Sequence, residues 1–214
     1  MYCPPVMIMR RTCESDHCSR LAVLNSSVCA VHCDPGHSQL VSDFLSSRSD
    51  FERVAFDGMT LCDTRFNSKD LHGCSFSNTR MVRCHFVDTL IDLSFLDHSE
   101  FIECSFERVR IRSSVFACSY LRDCSFNEST LVQVNFNASV LFRSAFSSSD
   151  LLDCRFISAS LSDTDFSDCN MKGSDFTGSS RMNVRYPHCN VFQSHGILGS
   201  DRYASLRVDT GELS

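Results

Sequence analysis

The sequence predicts an all-β solenoid, and two periodic observations predict it. From Phe51 to Phe176 every fifth residue is apolar without exception. With 43% apolar residues overall, 26 such positions in a row have a chance probability on the order of 10⁻¹⁰, so the series is an internal repeat. A helix repeats its apolar face every 3.6 residues and a strand every 2, and a period of five fits neither. It fits a chain that turns a corner after each five residues and points one side chain inward from each flat edge. The second observation concerns the position two before each central residue. It reads Cys74, Thr79, Cys84, Thr89, Ser94, Ser99, Cys104 and onward to Ser174, nearly all small. One large and one small inward side chain per edge would fill axis and corner without voids.

The blocks Cys74-Ser75-Phe76, Cys104-Ser105-Phe106, Thr164-Asp165-Phe166 and Ser174-Asp175-Phe176 resemble the pentapeptide-repeat family. The resemblance implies a right-handed quadrilateral β-helix with four pentapeptides per coil. The chain departs from the family in using Ser and Cys where Ala is commoner, and Lys69 is an unusual inward candidate. A 20-residue coil places Phe66, Phe86, Phe106, Phe126, Phe146 and Phe166 on one edge, continued by Tyr186. It places Phe56, Phe76, Phe116, Phe136, Phe156 and Phe176 on the opposite edge, broken by Leu96. The other two edges carry mostly Leu, Ile and Met.

Four cysteines, Cys13, Cys18, Cys29 and Cys33, crowd residues 13–33, and Cys13, Cys18, Cys29 and His32 form the spacing C-x4-C-x10-C-x2-H. Zinc takes four such ligands in a tetrahedron, and two short ligand pairs about a dozen residues apart supply them. The segment resembles small zinc-knuckle-like modules, and four protein ligands favour a closed structural Zn2+ site. Cys33 and His17 are alternate ligands, and a metal-free cysteine-rich tail is the alternative reading. Asp34-Pro35-Gly36 is a turn signal. Leu40, Val41, Phe44 and Leu45 then recur at helical spacing, with Ser38 as N-cap, and predict a short helix that covers the open end of the first coil. The predicted organisation is a zinc-binding module over 1–36, a capping helix and linker over 37–50, the solenoid over 51–195 and a polar tail over 196–214. Arg181 breaks the inward series, and the last coil is expected to distort around Pro187.

Of 14 cysteines, seven fall in the small inward slot, from Cys74 to Cys189, where Cys serves as a small apolar residue. No apolar run suggests an export signal or a membrane span, so the expected compartment is cytoplasmic and the thiols are expected to be reduced. No nucleotide-binding glycine loop, nucleophile elbow or HExxH motif is present, and no enzyme is expected. Asp163, Asp165 and Asp168, and likewise His72, His85 and His98, occupy outward positions where polar residues are the default.

A net charge of −6 argues against general binding of nucleic-acid backbone, which needs clustered Lys and Arg. The expected function is a non-enzymatic interaction scaffold that binds a protein partner through its outer faces, with no membrane contact. The alternative, implied by the resemblance, is a DNA mimic that binds DNA gyrase or topoisomerase. Mimicry requires negative charge along most of the rod. Between 51 and 176 there are 18 Asp and Glu against 12 Lys and Arg. Asp150 to Asp175 is acidic, but Arg80, Arg83, Arg108, Arg110 and Arg112 interrupt the middle. A zinc-assisted nucleic-acid contact through Arg10, Arg11 and Arg20 is a third, thinner reading.

Overall fold

The computed structural model describes residues 14–15 and 37–197. Helix α1 (His37–Ser46) opens the main part. It begins one residue before Ser38, which therefore lies inside the first turn and is not the N-cap. Val41 and Leu45 are buried, and the Phe44 ring lies 5.4 Å from Phe51 and 6.4 Å from Phe56. The apolar stripe of the helix thus closes the first coil, as expected.

The chain then winds into a four-sided parallel β-solenoid. The first face is a six-stranded sheet running from Asp50–Glu52 to Asp150–Leu152, and the third is a seven-stranded sheet running from Thr60–Cys62 to Ser180–Met182. The second and fourth faces are columns of single bridges. The second passes through Ala55, Ser75, Phe95, Val115, Asn135, Arg155, Asp175 and His195, and the fourth runs from Arg65 to Arg185. Every pairing joins residues 20 apart in parallel, as in Phe51 with Leu71 and Leu71 with Ile91. Seven such steps at about 4.8 Å make a rod of roughly 34 Å.

Every member of the five-residue series from Phe51 to Phe176 is buried. Phe66 stacks on Phe86 at 4.5 Å, and the column continues through Phe106, Phe126, Phe146 and Phe166 to Tyr186. Across the bore, rings of the second and fourth faces meet edge to face, as Phe126 and Phe136 do at 6.0 Å. Stacked and perpendicular contacts are the favoured aromatic arrangements. Lys69 is half-buried in its slot, and its ammonium escapes toward the open end, donating to the Arg48 carbonyl at 2.8 Å.

Two devices hold the coil that the apolar pattern did not reveal. First, every fifth residue from Arg53 to Gln193 takes a left-handed backbone conformation and turns the corner. Secondly, slot hydroxyls bridge coils. Ser129 Oγ donates to the Phe106 carbonyl at 2.8 Å and accepts from the Val109 N–H at 3.2 Å. Ser99 does the same with the Phe76 carbonyl and the Thr79 N–H. Serine in the slot therefore satisfies a backbone amide that alanine would leave without that partner.

At the far end, Arg181 stands where an apolar centre would be and donates to the Ile197 carbonyl at 3.2 Å. Ile197 is buried. Gly196 makes this crossing possible: its φ is +73°, and a Cβ there would lie 2.6 Å from the Phe176 carbonyl carbon. The structured cover of the rod thus includes the first two residues of the segment expected to be a polar tail.

Ser129→Ala should cost about 1–3 kcal/mol, because it orphans a buried amide as well as removing a bond. Ser139 Oγ bonds only the Phe136 carbonyl of its own turn, so Ser139→Ala should cost less than about 1 kcal/mol. Urea unfolding of the two variants measures the contrast, and equal losses would remove the bridging role.

Candidate functional site

Cys13, Cys18, Cys29 and His32, with the alternates Cys33 and His17, lie outside the described residues, as do Arg10, Arg11 and Arg20. Among the described residues no group of three or more His, Cys, Asp and Glu could hold a metal. Also among them, no helix is long and apolar enough to cross a membrane.

The described cysteines are free thiols. Burial pushes the Cys74 thiol up to about 11, and Cys154 and Cys169 to about 12. Cys104 is raised to about 12, chiefly by its hydrogen bond with Cys124. Cys84 is also pushed up, by the neighbouring Cys104 thiol and by burial. Nucleophilic thiol chemistry needs a lowered value and an open approach, and these groups have neither. They pack as small core residues, the role their slot implies. Cys62 and Cys118 are exposed.

The candidate functional surface is therefore the exterior. Its corners carry charge ladders with a 20-residue pitch. Arg83 grips Asp63 through two bonds of 2.8 Å, Arg143 grips Asp123 at 2.7 and 2.8 Å, and Arg108 grips Asp88 at 2.8 and 3.1 Å. The Arg83 and Arg108 hydrogen bonds hold Asp63 and Asp88 below the ordinary aspartate value. The acidic run is answered in the same way. Asp163 accepts from Asn183 at 3.0 Å, Asp165 pairs with Arg185 at 2.6 Å, and Asp168 meets His188 at 3.1 Å. Asp163 and Asp168 turn successive corners while Asp165 lies on the face between them, so the fold does not gather them into one site. His72 meets Asp92 at 3.3 Å and His98 meets Asp97 at 3.9 Å.

Apolar residues break the polar exterior at the far end, where Met182 and Phe192 are exposed, and along two faces. On the third face, Val82, Ile102, Tyr120, Val140 and Phe142 occupy outward positions on successive rungs. Ile102 is buried against its neighbours, while Tyr120 is 36% exposed and Val140 39%. The Arg143 guanidinium lies 4.6 Å from the centre of the Phe142 ring. On the opposite side, the first face carries a groove of about 600 Å³ that runs past Asp50, Asp70, Leu90 and Arg110.

Fold and exterior together define a class: a four-sided parallel β-solenoid whose repeating unit is a pentapeptide. Residues 119–195 match the family model of a pentapeptide repeat region, and the chain carries pentapeptide repeats from Phe51 onward, as the resemblance implied. No curated protein matches the sequence. Similar solved structures include a trypsin-treated form of QnrB1, a plasmid-mediated fluoroquinolone resistance protein. It is 16% identical, with 67% of this chain and 81% of that chain covered and a TM-score of 0.41. Another is HetL of the cyanobacterium Nostoc sp. strain PCC 7120, involved in heterocyst differentiation regulation, at 11% identity, 77% and 95% coverage and a TM-score of 0.32. A third is Rfr23 of the cyanobacterium Cyanothece 51142, at 9% identity, 69% and 98% coverage and a TM-score of 0.38.

Native protein treated with a thiol reagent at pH 8 should label Cys62 and Cys118 promptly. Cys74, Cys84, Cys104, Cys124, Cys154 and Cys169 should react only after unfolding, and all six should then be alkylatable without reductant. Prompt native labelling of Cys104, or a disulfide among Cys84, Cys104 and Cys124, would contradict the sealed-slot geometry.

Proposed function

We propose that the protein is a non-enzymatic interaction scaffold that binds a protein partner through its third face. The observation that supports this reading is the run of apolar side chains at outward positions from Val82 to Phe142. Outward positions elsewhere on the rod are mostly polar, and polar residues cost nothing there. An apolar strip on a flat sheet, crossed by Arg122 between Ile102 and Phe142, presents burial energy to something outside the chain. Rim arginines supply register: Arg80 is paired to Glu100 at 3.2 Å, and Arg143 lies on Phe142.

The alternative of duplex mimicry has less support. A mimic needs carboxylates left free at close spacing along the rod. Asp63, Asp88 and Asp123 are each gripped by an arginine one coil on.

Tyr120→Asp combined with Val140→Asp tests the scaffold. Both sites are on the surface, so the circular dichroism spectrum should be unchanged. Proteins cross-linked to the wild type in native extract should be lost with the variant. Retention of the same partners would remove the third face from the reading. A gyrase supercoiling assay separates the alternative: inhibition at low micromolar protein that disappears on replacing Asp163, Asp165 and Asp168 by Asn would favour mimicry.

We also propose that Cys13, Cys18, Cys29 and His32 hold one structural zinc ion. Their spacing supports it, with two ligand pairs around a ten-residue loop. Elemental analysis of protein purified without added metal should find about one zinc per chain, reduced in Cys29→Ser. Metal-free wild-type protein would end the proposal.

A further inference from the structure

The first face, opposite the proposed partner surface, carries two features that its own chain does not use. Leu90, Leu93 and Phe95 are 39%, 39% and 38% exposed around one edge of a single rung. Leu93 is also the one branched aliphatic residue among the left-handed corners, with φ +51°. An L-residue with a Cβ pays about 1–2 kcal/mol for that conformation. Arg83, Glu103 and Gln133 turn other corners in the same conformation, so what sets Leu93 apart is an apolar side chain left exposed there. An apolar corner left in water gains burial only in a bound state.

The charges flanking that rung supply the second feature. Asp70 stands one rung before Leu90 in the same outward column and Arg110 one rung after, as the register Asp70–Leu90–Arg110 shows. Neither makes an ion pair among the described residues, although Arg83, Arg108 and Arg143 all do. Two rungs separate them by roughly 10 Å, too far to pair within one chain. The groove along this column is net acidic toward α1, where Asp50, Glu52 and Asp70 outnumber Arg48, and basic toward Arg110 and Arg112.

An occupant that fits must present an apolar centre with an anion and a cation set one rung to either side, in the opposite order. The face itself has that pattern when turned end for end. We propose that the first face pairs with a second copy of this chain, antiparallel, about a two-fold axis lying across the rod over the Leu90–Leu93 edge. The axis brings Leu90 and Leu93 onto their counterparts. It sets Asp70 against Arg110 of the second copy, twice, and His72 opposite Arg112. In the adjoining column Asp92, held by its own His72 at 3.3 Å, meets its own counterpart, so the self-complementary pattern lies in the Asp70–Leu90–Arg110 column. Such self-complementarity is what an isologous interface requires. Half a dozen rungs of one flat face offer well under the ~800 Å² per partner of a durable interface, so the association is weak and concentration-dependent. It is independent of the third-face reading, which concerns the opposite side of the rod.

Sedimentation equilibrium of the full chain over about 10–300 µM tests the pairing, since weak interfaces dissociate in the micromolar range. The wild type should move from monomer to dimer. Asp70→Arg and Arg110→Asp should each weaken dimerisation roughly tenfold or more by placing like charges in contact. An equimolar mixture of these two variants should dimerise again, because each supplies the charge the other lost, and so should the chain carrying both changes. Leu93→Asn should weaken the dimer while raising the thermal midpoint of dilute monomer, an opposition that a purely structural leucine would not show. A wild type that stays monomeric to 300 µM overturns the proposal. So does a dimer indifferent to the single reversals, or a mixture that fails to recover. Tyr120→Asp with Val140→Asp should leave the equilibrium unchanged, which keeps this test separate from that of partner binding.

Discussion

The whole rod depends on one backbone constraint: a left-handed residue at every corner, every fifth position from Arg53 to Gln193. It turns an extended chain through a quarter of a coil, so that four short edges close on themselves. For most side chains this conformation is unfavourable by about 1–2 kcal/mol. Each edge offsets it with one fully buried large residue, worth about 1.5–3 kcal/mol, and with backbone bonds to the coils above and below, such as Phe126 N–H to the Ala145 carbonyl at 2.7 Å. Neither gain exists for a coil without neighbours. The stack is therefore stable only collectively, and its ends need covers. The Phe44 ring on Phe51 and Phe56 supplies one, and Ile197 with Arg181 supplies the other.

Residues that point inward were legible because burial leaves them few choices. The series from Phe51 to Phe176, the alternate phenylalanine edges and the small slot were all readable from spacing alone, and together they set pitch, register and core. The corners were not. Gly73, Asn78 and Asp88 signal a left-handed turn, but Arg83, Glu103 and Gln133 adopt the same conformation. There the stacked coils override local preference, which no single residue type reports. Slot serine was legible as small but not as bonded, because its amide partner lies 20 residues away, as Val109 does from Ser129. Ile197 was missed because it follows a gap in the series and lies over the end of the stack.

The exterior shows a different limit. Ion pairs such as Asp63 with Arg83 and Asp123 with Arg143 join residues one coil apart. A comparison of the sequence with itself shifted by 20 residues would find them. What no shift finds is which charges lack an answer. Arg110 and Arg112 look like their neighbours in composition, and only the coil geometry shows that the rungs beside them hold Leu90 and Thr130 on one column and Asp92 and Val132 on the other. Asp92 is already engaged with His72.

A solenoid of this kind makes its exterior cheap to vary, and that gives departures from its default their meaning. The inward half of each pentapeptide carries the folding energy, so an outward residue changes stability little whether it is Ser, Asp or Arg. Polar residues there need no explanation. An apolar residue such as Val140 or Leu93 gains little from the fold and exposes surface that water disfavours. Among the described residues, and apart from Met182 and Phe192 at the far end, two such regions occur, on opposite faces. One is long, flat and aliphatic-aromatic, with paired charges at its rim. The other is short and centred on one rung, with unpaired charges of opposite sign on either side. The first lacks any symmetry that would let it meet itself, whereas the second reproduces itself on reversal. A rod with both can hold a partner on one face and a copy of itself on the other without competition between them.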